Sequence, residues 1–381
     1  MIFRLLEDQV ARDYSERKAQ DRRFMQLALT LGARGLGRTW PNPAVGAVVV
    51  KDGIIVGRGW TQPGGRPHAE PVALAEAGDA ARGATLYVTL EPCSHHGRSP
   101  PCADAIVAAG VARVVSAMED PNPEVAGQGH ARLRAAGVTV DIGPGAAEAA
   151  RAHAGHLSRI GDGRPHVMLK LAVSADGKIG LAGRKPVALT GEAATARVHL
   201  MRAHSDAIMI GIGTALADDP LLTCRLPGMA AWSPVRVVLD SQLRLPPASR
   251  LAQSAREVPL WLFTAKPADA PQAAALAALG VEVVQVAVHA DRLDLPEVLR
   301  ELARRGITRL MVEGGARLAG QLVSRGLVDE VQLLHTEAAI GAGGVDALEG
   351  QPLTAITASA MFAKSGTERI GDDRLTIYQR R

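Results

Sequence analysis

Four residues in two short stretches could do chemistry together. His68 and Glu70 stand two apart in "RPHAEPVALAEAG", and Cys93 and Cys102 each follow a proline in "LEPCSHHGRSPPC". The chain has only 3 cysteines, so placing two of them here is informative. One imidazole and two thiolates form the donor set of a catalytic zinc, which takes three protein ligands and keeps a fourth position for water. Zinc lowers the pKa of that water towards neutrality, and a neighbouring carboxylate can then move protons. Glu70 is poorly placed to ligate beside His68, but its spacing lets it face the water as general acid and base. His95 and His96, in the loop between the cysteines, are competing ligands of lower weight. Cys224, in "LLTCRLPG", reads as a small core or loop residue.

Such a pocket needs a helix opening at His68 and a strand ending at Cys93. The pattern supplies both. "AVGAVVV" and "IIVGRGW" flank Asp52-Gly53, a strong hairpin signal, and the Ala-rich run after His68 reads as a helix. "ATLYVTL" is a buried strand stopping at Glu91, and "CADAIVAAG" is a helix closed by Gly110. "VARVVSAM", "GQGHARLRAAG" and "VTVDIG" continue the alternation, so one α/β layer is complete by about Gly143. The chain then divides into an arm over 1–20, read as frayed and partly helical, a first α/β domain over 21–143, a helical linker over 144–165, and a second α/β domain over 166–381. The second begins at "HVMLKLAVSADGKIG" and runs through "DAIMIGIGTALADDP", "VRVVLDS", "PLWLFTAK", "VEVVQVAV", "ITRLMVEGG" and "VDEVQLLH".

Composition narrows the partners. A net charge of +4 suits phosphate-bearing small molecules, and 3% aromatics argue against a single-strand nucleic-acid binder, which needs stacking platforms. No window approaches a membrane helix, and the first residues lack a secretory signal. An odd, small cysteine count fits a reducing cytoplasm.

His-x-Glu followed by Pro-Cys-x-x-Cys is the signature of zinc deaminases acting on bases, with the glutamate as general acid and base. Here eight residues separate the cysteines, not two. Together with "PNPAVGAVVV" and "DPNPEVAGQGHARLRAAGV", the stretch "TLEPCSHHGRSPPC" resembles the deaminase half of the bifunctional deaminase/reductases of riboflavin biosynthesis, where the long spacing is usual. The resemblance runs from about Asp21 to the C-terminus. It implies a cytidine-deaminase-like domain holding one zinc per chain, followed by a dihydrofolate-reductase-like domain using NADPH. It further implies deamination of a phosphorylated diaminopyrimidine, then reduction of its ribosyl group. Asn42, in "PNP", matches a position where such deaminases hold the base edge; a turn between two prolines is its plainer reading.

Read by itself, the second half shows two Gly-rich strand-to-helix turns, "GIGTALADDP" and "VEGGARLAGQL", where backbone amides can approach a pyrophosphate. No G-x-G-x-x-G opens a βαβ unit, which argues against a Rossmann domain. The resemblance places cofactor contacts at Ala172, Thr214, Asp218 and Ser241, and along Gly315, Ala316, Arg317, Leu318, Ala319, Gly320 and Gln321. It places the phosphorylated substrate on Arg202, Leu222, Arg225 and Glu313, with Lys170 near the reacting sugar; Arg202 and Arg225 offer planar forks to a phosphate. One segment departs: "RKPVALTGE" sets Pro186 and Ala188 where the family carries serine and tryptophan, leaving Arg184 or Lys185 as substitutes. Asp240, ending its strand, would favour NADH through ribose hydroxyls, whereas Ser241 and Arg244 could receive a 2'-phosphate; the resemblance favours NADPH. Two other readings remain: an active deaminase with an impaired reductase half, and a tRNA-editing deaminase fused to an RNA-binding module. A homo-oligomer is left open.

Overall fold

The computed structural model describes residues 2–95, 100–123, 125–184, 187–267, 270–289 and 292–381, with backbone only for 2–13 and 184. His96, Lys185 and Pro186 lie outside the described residues, and of Arg184 only the backbone is described. Two compact units divide between Gly163 and Arg164.

The first unit is a 5-stranded sheet with helices on both faces. Its strands are β1 (Gly46–Lys51), β2 (Ile54–Trp60), β3 (Thr85–Val88), β4 (Arg113–Ser116) and β5 (Thr139–Ile142), in spatial order β2-β1-β3-β4-β5. β1 pairs antiparallel with both β2 and β3, while β3, β4 and β5 run parallel. One face packs Leu86, Val88 and Val114 under α2 (Ala69–Ala77), α3 (Cys102–Ala108) and α4 (Gln128–Ala135). The other packs Val48, Tyr87 and Val115 under α1 (Ile2–Gly32), through Phe24, Met25 and Ala28. The sequence reading set 1–20 apart as a frayed, partly helical arm; the structure makes it one continuous helix with the start of the first domain, and no proline or glycine occurs within 2–31 to break it. Asp21 fastens α1 to the sheet by accepting from the Tyr87 hydroxyl (2.8 Å) and the Arg113 guanidinium (2.7 and 2.8 Å).

The stretch read as a linker is structured as well. It forms α5 (Ala146–Ala152) and α6 (Ala154–Gly161), which belong to the first unit. Ala149 is fully buried against the α1 face, His153 Nε2 lies 3.0 Å from Thr89 Oγ1, and His156 Nε2 lies 3.1 Å from Asp120 Oδ1. Glycine and proline at its two ends mimic a linker's borders, but Ala149, His153, Gly155 and His156 between them are buried.

The second unit is built on a 9-stranded sheet. Its strands are β6 (His166–Val173), β7 (Ala207–Gly211), β8 (Val235–Leu239), β9 (Leu260–Thr264), β10 (Glu282–Gln285), β11 (Arg309–Glu313), β12 (Glu330–His335), β13 (Phe362–Ile370) and β14 (Asp373–Arg380), ordered β10-β9-β8-β7-β11-β6-β12-β14-β13. Strands β6 to β12 run parallel to one another, and their near-continuous apolar runs suit a sheet buried on both faces, while β14 pairs antiparallel with β12. The hairpin β13–β14 is antiparallel and was not read from the sequence, because "AKSGTERI" is mostly polar and exposed. Helices α7 (Glu192–Ala203), α8 (Ile212–Asp218), α9 (Pro271–Ala278), α10 (Leu295–Arg304) and α11 (Ala316–Ser324) include the two that follow the Gly-rich turns.

Candidate active sites

His68 is the residue immediately before α2, in extended backbone, so its ring is free to turn off the helix end. Gly59 sets the depth of that helix: a Cβ there would meet the Ala69 carbonyl at 2.2 Å, so only glycine lets α2 lie this close to β2. Cys93 follows the end of β3 by way of Pro92, and Cys102 opens α3. The three donor atoms converge. His68 Nδ1 lies 3.7 Å from Cys93 Sγ and 3.4 Å from Cys102 Sγ, all within a 4.8 Å group. Zinc bonds of about 2.3 Å to sulfur and 2.0–2.1 Å to nitrogen give tetrahedral N–S edges of roughly 3.6 Å, and the two observed edges bracket that value. The donor set therefore fits zinc, with His68 acting through Nδ1.

The three donors share their protons with one another. Cys93 is pushed down to about 4, first by the hydrogen bond from the Cys102 thiol, with His68 and the Cys102 amide (3.3 Å) adding to it against the cost of burial. The Cys102 thiol is driven up, first by its bond to Cys93 and then by burial. His68 is raised, chiefly by its contact with Cys93. Glu70, in the first turn of α2, is 3% exposed and pushed up to about 7, with burial the largest cause. It reaches the Cys102 side chain. His95 is exposed and belongs to no ligand group among the described residues. Asn42 Nδ2 donates to the Gly65 carbonyl at 2.8 Å, which leaves its Oδ1 and second N–H for a base edge.

Residues the sequence reading passed over hold the Cys93 approach in place. The buried Glu91 carboxylate accepts amides from Asp120 (3.2 Å), Gly127 (2.9 Å) and His130 (3.1 Å). A Cβ on Gly129 would meet the Pro92 carbonyl at 1.9 Å, so α4 abuts the residue before Cys93. Arg132 donates to the Ser94 carbonyl at 3.1 Å and pairs with Asp104 on α3, bracing the cysteine loop from both ends. Glu91, Glu119 and His130 also cluster, but three amides already occupy that carboxylate. The signal available in sequence was "LEPC" itself, an acid at a buried strand end.

In the second unit the two Gly-rich turns meet. A Cβ on Gly315 would come within 3.2 Å of Thr214 Oγ1, so the cofactor candidates Thr214 and Gly315 adjoin. The rest of 315–321 is not one surface. Arg317 pairs with Glu349, Gly320 packs on the Glu349 carbonyl, and Leu318 and Ala319 are buried; only the first turn of α11 presents amides outward. Gln321, Ala172 and Ser241 are half-buried and Asp218 is exposed. Asp240 cannot reach a ribose: it is fully buried, and its Oδ2 accepts the Leu245 amide at 2.8 Å, shaping the turn that carries Ser241 and Arg244.

The phosphate fork proposed for Arg202 is engaged. Its Nε and Nη2 donate to Glu313, both at 2.9 Å, and Nη1 donates to the Thr223 carbonyl at 3.0 Å. Lys170 Nζ lies 3.5 Å from the same carboxylate. Burial alone would raise Glu313, yet Lys170 and Arg202 hold it below the usual carboxylate range. Arg225 is exposed, and it is the freer cation of the two. Leu222 is buried, in left-handed backbone at φ +56.

A His/Cys/Cys pocket with a buried glutamate, set on an α/β sheet, defines the first unit as a zinc-dependent base deaminase; residues 18–118 match the family described as the cytidine and deoxycytidylate deaminase zinc-binding region. Residues 165–375 match the RibD C-terminal domain. The riboflavin biosynthesis protein RibD of Escherichia coli is 44% identical over 323 residues, covering 82% of this chain and 86% of its own. That of Haemophilus influenzae is 40% identical, covering 95% and 98%. The solved RibD of Acinetobacter baumannii superposes with a TM-score of 0.85 at 35% identity, covering 96% and 99%. The diaminohydroxyphosphoribosylaminopyrimidine deaminase/5-amino-6-(5-phosphoribosylamino)uracil reductase of Thermotoga maritima reaches a TM-score of 0.83 at 33% identity, covering 96% and 100%. The chain belongs to the RibD family of bifunctional deaminase/reductases of riboflavin biosynthesis. No helix among the described residues is long and apolar enough to cross a membrane.

Proposed function

We propose that this chain deaminates 2,5-diamino-6-(5-phosphoribosylamino)pyrimidin-4(3H)-one in its first unit and reduces the ribosyl group in its second, yielding 5-amino-6-(5-phosphoribitylamino)uracil. The observation that carries the reading is the convergence of His68, Cys93 and Cys102 with the buried Glu70 beside them. When bound, zinc supplies Lewis-acid activation of water at the first site and NADPH supplies the hydride at the second.

The residues do the rest. His68, Cys93 and Cys102 hold the metal. Glu70 takes the proton from the attacking water and delivers it to the departing 2-amino nitrogen, and burial keeps its proton affinity high enough for both tasks. Asn42 orients the pyrimidine edge. In the second unit, Thr214 and the first-turn amides at Gly315 and Ala316 receive the cofactor's phosphates, with Ala172, Asp218 and Ser241 along its path. Arg225 and the backbone at Leu222 grip the substrate phosphate. Glu313, steadied by Arg202, and Lys170 face the sugar. The two chemistries are separate, and the packing of α5 and α6 with the first unit supports a join at Gly163–Arg164. A reducing cytoplasm suits unpaired thiols at Cys93, Cys102 and Cys224.

Incubation with the diamino compound, with and without NADPH, tests the reading by product mass. Without NADPH the product should have lost ammonia and gained water, an oxygen standing in place of the amino group, and with NADPH it should gain two further hydrogens. Release of no ammonia from zinc-loaded protein would refute the first half; deamination without NADPH consumption would refute the second.

A further inference from the structure

Arg236 lies on β8 with no exposed surface, and it is the largest fully buried side chain of the chain's described residues. Strands of a parallel sheet covered on both faces call for apolar residues, and a buried cation is costly unless paired. Among the described residues no carboxylate forms a salt bridge with Arg236, and Glu257 attracts its charge only from farther away. Nη1 donates to the Leu221 carbonyl (3.3 Å) and Ser254 Oγ (2.7 Å), Nη2 donates to the Ser254 carbonyl (3.0 Å) and the Val258 carbonyl, and Nε is left without a partner. Burial pulls its pKa down to about 10, so it remains charged at neutral pH. Packing alone does not call for so expensive a group.

Its bond to Leu221 points to the reason. Residues 219–225 belong to no strand or helix, and side chains from elsewhere hold their backbone. Arg202 takes the Thr223 carbonyl, Ser233 Oγ accepts the Cys224 amide (3.1 Å), and His199 Nδ1 accepts the Arg225 amide (3.2 Å). Leu222 sits between the carbonyl held by Arg236 and the one held by Arg202, in left-handed backbone that a leucine adopts only when its surroundings impose it.

We propose that Arg236 is a positioning residue for the reductase substrate: from the core it anchors Leu221 and so keeps the 222–225 segment in the shape that presents Leu222 and Arg225 to the sugar phosphate. This rests on the reading of that segment as the substrate loop. A loop populating its binding shape only a tenth of the time raises the apparent dissociation constant about tenfold without altering chemistry in the bound state.

The experiment uses the full zinc-loaded chain, pre-deaminated substrate, and the variants Arg236→Met, Arg236→Lys and Arg225→Ala. NADPH binding, followed by fluorescence, reports whether the second unit is folded. Expected are intact NADPH binding and unchanged ammonia release, with the KM for the phosphorylated pyrimidine raised about tenfold in Arg236→Met, less in Arg236→Lys, and kcat nearly constant. If Arg225→Ala raises KM while either folded Arg236 variant leaves it unchanged, the proposal fails alone. If Arg225→Ala leaves KM unchanged, the substrate-loop reading fails and takes this proposal with it. Loss of NADPH binding in both Arg236 variants would also overturn it, making Arg236 a folding element only.

Discussion

The pocket of His68, Cys93 and Cys102 and the cluster of Lys170, Arg202 and Glu313 solve opposite problems. In the first, one imidazole and two thiols face one another with the buried Glu70 beside them, a donor set that suits a cation the chain does not supply. In the second, two cations and one carboxylate satisfy each other inside the protein, with Arg202 bonded to Glu313 at 2.9 Å through two nitrogens. A metal site advertises itself by unmet demand. An internally paired site looks complete, and its affinity for substrate depends on where the pairing holds the backbone.

Four experiments can break or sharpen that contrast, beginning with the largest effect. Replacing a ligand, Cys102→Ser, should abolish zinc retention and reduce ammonia release to background while reduction of pre-deaminated substrate continues. Metal analysis beside both assays decides it, and full zinc content with normal turnover would remove Cys102 from the site. Glu70→Gln keeps the shape of the side chain but not its basicity. Zinc should stay bound while ammonia release falls by about 10²- to 10⁴-fold, the usual worth of general acid–base catalysis.

The paired site should respond in stability before chemistry. Arg202→Met leaves the buried Glu313 with Lys170 alone, and breaking a buried pair from one side costs about 3 kcal/mol. Calorimetry should show the second unit's transition lowered by roughly 6–12 °C, with the first unit's unmoved. An equal fall in both would mean that the units do not unfold separately. The smallest effect concerns the entry to the second unit, where Asp329 accepts both Arg164 nitrogens (2.6 and 2.7 Å) and the Val167 amide (2.8 Å). Burial would raise this carboxylate, but Arg164 and Val167 outweigh it and hold it below 3.8. Because the folded state binds its proton less readily than the unfolded chain, its stabilisation is complete above about pH 5 and declines on acidification. Asp329→Asn should flatten the dependence of the second unit's Tm between about pH 5 and pH 3; an unchanged slope would assign the effect to other acids.

Much of the first site was legible because its parts are near one another in the chain and each is tied to an element boundary. His68 opens a helix, Cys93 ends a strand, Cys102 opens the next helix, and these boundaries follow from local periodicity and prolines. The second site was harder. Lys170, Arg202, Leu222, Arg225 and Glu313 come from two strands, one helix and one irregular segment, and resemblance, not spacing, brought them together. Asp240 shows the limit plainly: an acid at a strand end looked like a ribose ligand, yet the turn it caps folds its carboxylate inward, which composition cannot indicate.

By itself the sequence determined the alternation of strands and helices, the residue types and number of the candidate zinc donors, and the role open to Glu70, because these depend on residue type and short-range period. Only the tertiary structure decided that 144–161 packs as part of the first unit, that a polar hairpin completes the second sheet, and that Glu91 and Gly129 back the metal loop. It also decided that the fork of Arg202 faces Glu313 and that Arg236 lies buried among carbonyls. Those outcomes turn on which distant surfaces meet, and a carboxylate or guanidinium takes its function from the partner that burial leaves within 3 Å.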